Sequence, residues 1–300
     1  MTDARSPLGP APAFFDLDAA RVACWQMGPT GAPDLLFVHG WPLHAATWRH
    51  VAPVLTERFR CHLVDLPTTG ASPWDATTPV GLRQHAETLR QLVEALGLAR
   101  LGLVAHDSGG AIARLLAAEL GERVYGMVLS GTEIPGHHPL LFDVLTRTLR
   151  LPGSAAVLRG LLRSPRYVRS RFGFGGCFAD RSRLEGEFAE LFIAPLQDRR
   201  VLEGQLRLAQ AIDWSVVAEL EETHRRIPAP ALLLWGRHDP FFPAAKAEAM
   251  ADQFPGGARF ECFEDAALLA HEEHPERFAR ASLAFLERLV EPARPLRVTA

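Results

Sequence analysis

Leu101-Gly102-Leu103-Val104-Ala105-His106-Asp107-Ser108-Gly109-Gly110-Ala111-Ile112 is the stretch whose reading decides the fold. Residues 101–105 make a wholly apolar run of strand length, and residues 110–120 carry apolar side chains at helical spacing. Small residues stand two before and two after Asp107, Ala105 and Gly109, so the chain can turn sharply from strand into helix. Such a turn holds its central side chain strained and exposed. The register selects Asp107, because a turn centred on Ser108 would put the bulky His106 on its crowded side. Unpaired N–H groups and the dipole at the helix start then favour an ionised, nucleophilic carboxylate. A simple helix cap would also accept Asp107 or Ser108, but it does not explain small residues on both sides after a buried strand.

The same alternation runs outward in both directions. Strands are predicted at 35–39, 61–65, 101–105, 127–130, 231–235 and 259–263, with two more near Phe14 and Cys24. Helical patterns at 80–96, 110–120, 244–254 and 275–290 lie between or after them, with Gly97, Gly121 and Gly256 placed as stops. This predicts an α/β fold: a mostly parallel central sheet flanked by helices. The alternation breaks after Gly131 and resumes at Ala231; between them 140–149, 155–162, 183–192 and 197–212 read as helices of an inserted cap. The expected layout is a core of 13–134 and 228–290, a cap of 135–227, and tails at 1–12 and 291–300.

With 300 residues, 48% hydrophobic and 22% charged, the chain can bury a full core, which excludes disorder and a disulfide-stapled miniature fold. Its 32 basic and 35 acidic residues give a net charge of −3, leaving no whole-molecule field for nucleic acid or an anionic membrane. The expected partner is a small apolar molecule, and the expected state a monomer or homodimer. Lys246 is the one lysine among the basic residues, and residues 147–200 hold eleven arginines against five acids, read as a solvated helix surface. Cys24, Cys61, Cys177 and Cys262 are far apart, with no spacing for zinc or a disulfide framework, which fits a reducing cytoplasmic setting. No metal or organic cofactor is implied. No charged segment followed by an apolar one opens the chain, and no apolar run is long enough to span a bilayer.

Upstream, Phe37-Val38-His39-Gly40-Trp41-Pro42 ends another strand, with a glycine that permits close backbone approach and a proline that fixes the next turn. The Trp41 and Ser108 N–H groups can there form a two-donor oxyanion hole, with His39 as a support for the loop. Together with Trp235-Gly236-Arg237-His238-Asp239-Pro240-Phe241-Phe242, these motifs resemble the α/β-hydrolase superfamily, and within it the epoxide hydrolase and haloalkane dehalogenase branch. The resemblance covers nearly the whole chain outside the cap. It implies that Asp107 is the nucleophile and that Asp239 is the acid that orients a catalytic histidine.

That histidine is expected seven residues before the proline of Glu273-His274-Pro275-Glu276, at position 268, which holds Leu268. In the family's two-step scheme an aspartate ester forms and histidine then activates water to cleave it. Leucine cannot do this. His271, His238 and Glu133, which follows the strand at 127–130, are the candidate substitutes.

Dehalogenases of the branch carry tryptophan after the nucleophile to hold halide, where this chain has Ser108, so epoxide chemistry ranks above halide displacement. Epoxide hydrolases present cap tyrosines to protonate the ring oxygen; Tyr167 is the cap's one tyrosine, Tyr125 being assigned to a core strand. Phe172, Phe174, Phe178, Phe188, Phe192, Phe241, Phe242 and Trp214 are expected to give the cap and the loop facing it apolar contacts, most of them as core. Phe241, Phe242, Trp214 and Leu268, with Tyr167 and His39, are expected to contact a bulky apolar substrate, polycyclic molecules included, in the cleft between cap and sheet. The first expectation is an epoxide-hydrolase-like enzyme. The alternatives are a non-hydrolytic cyclase or isomerase of natural-product assembly, and a binding protein that has lost turnover.

Overall fold

A computed structural model describes residues 7–290. Eight strands form one sheet: β1 (Ala13–Asp16), β2 (Arg21–Met27), β3 (Asp34–Val38), β4 (Arg60–Asp65), β5 (Leu101–His106), β6 (Val124–Ser130), β7 (Ala231–Gly236) and β8 (Ala258–Phe263). Their spatial order is β1-β2-β4-β3-β5-β6-β7-β8. β1, β2 and β4 pair antiparallel, and every pairing from β4 onward is parallel. β5, β6 and β7 are buried along their whole length, which explains why they read as continuous apolar runs: helices cover both faces, so no alternate residue needs to be polar.

Register brings the chemistry to one edge. Val38 lies opposite Ala105 and His106 opposite Ser130, so the segments leaving β3, β5 and β6 emerge side by side at the C-terminal ends of the strands. Trp41, Asp107, Glu133 and Asp239 all belong to those segments or to the one after β7. Between β6 and β7 stand the helices Leu140–Thr148, Ser154–Leu161 and Arg199–Gln210, among shorter ones.

The expected strands and core helices are present with ends shifted by a few residues; the helix after Asp107 starts at Ser108 and the one after β7 ends at Met250. The helix expected at 183–192 is not continuous. A turn of 3₁₀ helix at Arg181–Leu184 and a π-helical turn at Ala189–Ile193 flank Gly186, whose φ of 62° breaks the helix between them. The helical spacing of Phe188 and Phe192 survives as one turn of contact, their rings 4.9 Å apart. Leu8, in the segment read as a tail, is buried against the core, while 1–6 and 291–300 lie outside the described residues.

Candidate active site

Asp107 stands between β5 and the Ser108–Leu120 helix at φ 51°, ψ −142°, the strained turn its flanking residues predicted. The strain is held by packing that only glycine permits. A Cβ on Gly109 would lie 2.3 Å from the His39 carbonyl oxygen, and one on Gly40 would lie 2.4 Å from Asp107 Cβ. The two loops therefore touch backbone to backbone. This places the Trp41 N–H 3.0 Å and the Ser108 N–H 2.6 Å from Asp107 Oδ1, to which both donate. The two expected oxyanion donors thus converge on one carboxyl oxygen of Asp107.

His39 takes the supporting role and does not reach the cavity. Its Nε2 accepts from the Leu66 N–H at 3.0 Å and lies 3.0 Å from Thr69 Oγ1. Burial pushes its pKa down to about 3, so it stays neutral. The Trp41 indole N–H donates to the Gln205 carbonyl of the cap at 2.8 Å and so is engaged away from the cavity.

Above Asp107 lies a cavity of about 290 Å³, walled by Asp107, Glu133, Trp41, Tyr167, Trp214, Phe241, Phe242 and Leu268 together with cap side chains such as Phe142 and Leu149. Phe172 and Phe174 also line it, but Phe178, Phe188 and Phe192 do not. These three form a ring cluster, Phe178 to Phe188 edge-to-face at 4.9 Å and Phe188 to Phe192 at 4.9 Å, that packs the cap on itself. Tyr125 sits in β6 with its hydroxyl on the Asp34 carbonyl.

Asp239 caps the turn after β7, its Oδ1 accepting from the N–H groups of Phe241 and Phe242, both at 2.9 Å. Its Oδ2 is buried with no hydrogen-bond partner among the described residues. Leu268 occupies the adjoining space: a Cβ on Gly131 would be 2.9 Å from Leu268 Cδ1 and 3.2 Å from Asp239 Oδ2. The carboxylate is in place, and a leucine stands where the resemblance expects an imidazole. Without that cation, burial pushes the Asp239 pKa up to about 7.

His271 does not fill the gap. It is 1% exposed, packed against Trp48 at 4.7 Å and His106 at 4.3 Å, and is not part of the cavity wall. Thr47 Oγ1 donates to Glu272 at 2.8 Å, so His271 Nε2, 2.7 Å from that oxygen, is the donor to it. The remaining lone pair on Nδ1 is buried without a partner among the described residues, and burial with the nearby Arg49 charge lowers the His271 pKa to about 3. His238 is exposed at the surface.

Glu133 is different: it is buried and lines the cavity together with Asp107. Its Oε2 accepts from Thr132 Oγ1 at 2.8 Å and lies 3.9 Å from Arg114 Nη2. Arg114, fully buried on the helix that follows Asp107, also donates to the Gly110 carbonyl at 3.0 Å and the Glu133 carbonyl at 2.8 Å. It is the cation that the sequence reading missed. The available signal was one charged side chain amid the apolar run of residues 109–118. Gln205 and Cys177, cap residues on the cavity wall, had no spacing to mark them.

Burial, then the charge of Glu133, pushes the Asp107 pKa up to about 8 despite its two N–H donors. With no imidazolium at 268 to offset desolvation, the helix terminus that favours an ionised carboxylate does not hold the Asp107 pKa down. Burial also raises Glu133, against the pull of Arg114. Asp107 and Glu133 therefore titrate as a pair that resists carrying two negative charges.

Fold and site together define a member of a known family: residues 33–275 match the alpha/beta hydrolase fold, and the chain belongs to it. Among curated proteins it is similar to haloalkane dehalogenase 2 of Mycobacterium bovis, at 27% identity over 89% of this chain and 92% of that protein. It is also similar to the pimeloyl-[acyl-carrier protein] methyl ester esterase of Aeromonas hydrophila, at 26% identity over 82% and 92%. Among solved structures, a haloalkane dehalogenase of Bradyrhizobium elkani superposes with a TM-score of 0.77 at 24% identity, covering 92% of this chain and 97% of that one. That likeness concerns the fold. No helix among the described residues is long and apolar enough to cross a membrane.

Proposed function

We propose that this chain is a hydrolase that opens bulky apolar epoxides through a carboxyl pair, Asp107 as nucleophile and Glu133 as acid and then base. The observation that carries the reading is the shared cavity wall: Glu133 faces the same space as Asp107, whereas His271 is packed elsewhere and Leu268 covers Asp239. A pair that holds one proton supplies both forms the reaction needs. The reacting form is the less populated one, with the proton on Glu133: ionised Asp107 Oδ2 attacks a ring carbon. The ring C–O bond breaks, and its electron pair takes the proton from Glu133. The Tyr167 phenol, kept neutral because burial raises its pKa, hydrogen-bonds the ring oxygen.

The ester is then cleaved by the same groups. Glu133, now ionised, takes a proton from water as its oxygen adds to the ester carbonyl. The resulting negative charge on Oδ1 meets the Trp41 and Ser108 N–H groups. Collapse expels the product alkoxide, which takes the proton from Glu133. The diol leaves, and the carboxyl pair again holds one proton. Two carboxyls sharing acid, base and nucleophile roles is established logic for retaining glycoside hydrolysis.

The test is a single turnover of an aryl or polycyclic epoxide in ¹⁸O-water with enzyme in excess. The reading expects one ¹⁸O in the peptide containing Asp107 and none in the diol. Label in the diol after one turnover would mean that water attacks the epoxide directly. Product without any uptake of oxygen would favour the non-hydrolytic alternative.

A further inference from the structure

The net charge of −3 conceals a strongly positive stretch of the cap. Between residues 139 and 173 seven arginines, at 147, 150, 159, 163, 166, 169 and 171, accompany a single acid, Asp143. All but Arg159 are exposed. Arg147 pairs with Asp143 at 2.8 Å and Arg169 with Glu185, whereas Arg159 and Arg166 have no ionic partner among the described residues.

The same stretch carries Leu140, Val144, Leu151, Val157, Leu161 and Phe172, exposed by 42 to 78%; Phe14 is the other large apolar side chain so exposed among the described residues. Leu140 and Val144 lie one turn apart on the Leu140–Thr148 helix, and Val157 and Leu161 one turn apart on the Ser154–Leu161 helix. These helices are apolar toward the cavity through Leu145, Leu149, Leu158 and Leu162, so one apolar side is accounted for. The other faces solvent. Val144 and Phe172 belong to both the cavity wall and the exposed set, so the surface is continuous with the cavity.

We propose that this face of the cap docks on the surface of an anionic lipid bilayer, with Leu140, Leu151 and Val157 entering the acyl boundary and the arginines at the phosphate level. Charge selects this occupant. A two-fold contact between two copies would set the same arginine-rich face against itself, like charge on like. A lipid surface offers phosphates to the arginines and hydrocarbon to the leucines at once. Apolar substrates dissolve in that hydrocarbon, and the face adjoins the cavity that would take them. Docking of this kind does not depend on which residue acts as base, because it concerns binding.

The test is flotation of the full chain with vesicles of phosphatidylcholine alone and of phosphatidylcholine mixed equally with phosphatidylglycerol. The protein should float with the mixed vesicles and not with phosphatidylcholine alone, and added salt should release it. Both Leu140→Glu/Val157→Glu and Arg159→Glu/Arg166→Glu should weaken binding by roughly tenfold or more. Leu140, Val157 and Arg166 are exposed and Arg159 is half-buried, and unchanged circular dichroism and melting would show that the fold is kept. No flotation with anionic vesicles would overturn the proposal, as would flotation unaffected by the substitutions. A concentration-dependent dimer that Leu140→Glu/Val157→Glu dissociates, without flotation, would assign the face to a second copy and overturn it equally.

Discussion

Asp107→Asn should stabilise the protein, and the gain should depend on pH in a direction the site fixes. Unfolded, Asp107 releases its proton near pH 3.8; folded, burial and Glu133 hold it until about pH 8. Below pH 3.8 both states are protonated and the group has no effect. As pH rises from there the unfolded state sheds the proton while the folded state keeps it, so stability falls until about pH 8 and is flat above. A shift of roughly four pH units at about 1.36 kcal/mol each sets a ceiling of about 6 kcal/mol. Asparagine keeps an acceptor for the Trp41 and Ser108 N–H groups and never ionises, so it escapes this penalty. Half the ceiling, about 3 kcal/mol, would move a urea midpoint by about 1 M. Urea unfolding of the parent and the variant at pH 4 and pH 9 reads the difference. Equal midpoints at pH 4 and greater resistance of the Asp107→Asn protein at pH 9 are expected. A pH-independent difference, or a less stable variant at pH 9, would refute the burial and charge argument for Asp107.

His271→Phe retains an aromatic ring against Trp48 and His106, so diol formation should stay within about twofold of the parent, with a stability loss of about 1 kcal/mol from the Thr47 hydrogen bond. Loss of turnover with the fold intact would make His271 the base. Leu268→His should place an imidazole beside the unpartnered Asp239 Oδ2 and, combined with Glu133→Gln, restore ester cleavage in rapid-quench assays. An ester as long-lived as in Glu133→Gln alone would show that Asp239 is not set to orient a base.

The sheet was legible because its central strands are buried on both faces and so appear as uninterrupted apolar runs between turn residues. Asp107 was legible because close approach around it demands small residues at fixed offsets. The role of Glu133 was open in the sequence, since its claim rests on which candidate shares a wall with Asp107, a matter of three-dimensional packing. His271, three residues from the expected position, could be judged only from the side to which its ring turns. The cap was the least legible part. Its helices pack phenylalanines inward, as at Phe188, and leave leucines outward, as at Leu140, so hydrophobic spacing alone does not separate cavity wall from packing or surface.

The central claim is that Asp107 makes the ester and Glu133 brings water to it. Intact-protein mass spectrometry of Glu133→Gln after incubation with an aryl or polycyclic epoxide tests it most directly, with Asp107→Asn and Asp107→Asn/Glu133→Gln alongside. The account predicts an adduct of one substrate mass on Glu133→Gln, formed more slowly because the ring oxygen must take its proton from the Tyr167 phenol or from water, stable once formed, located on Asp107 and absent from both proteins that lack it. Undiminished diol formation by Glu133→Gln with no adduct would contradict it.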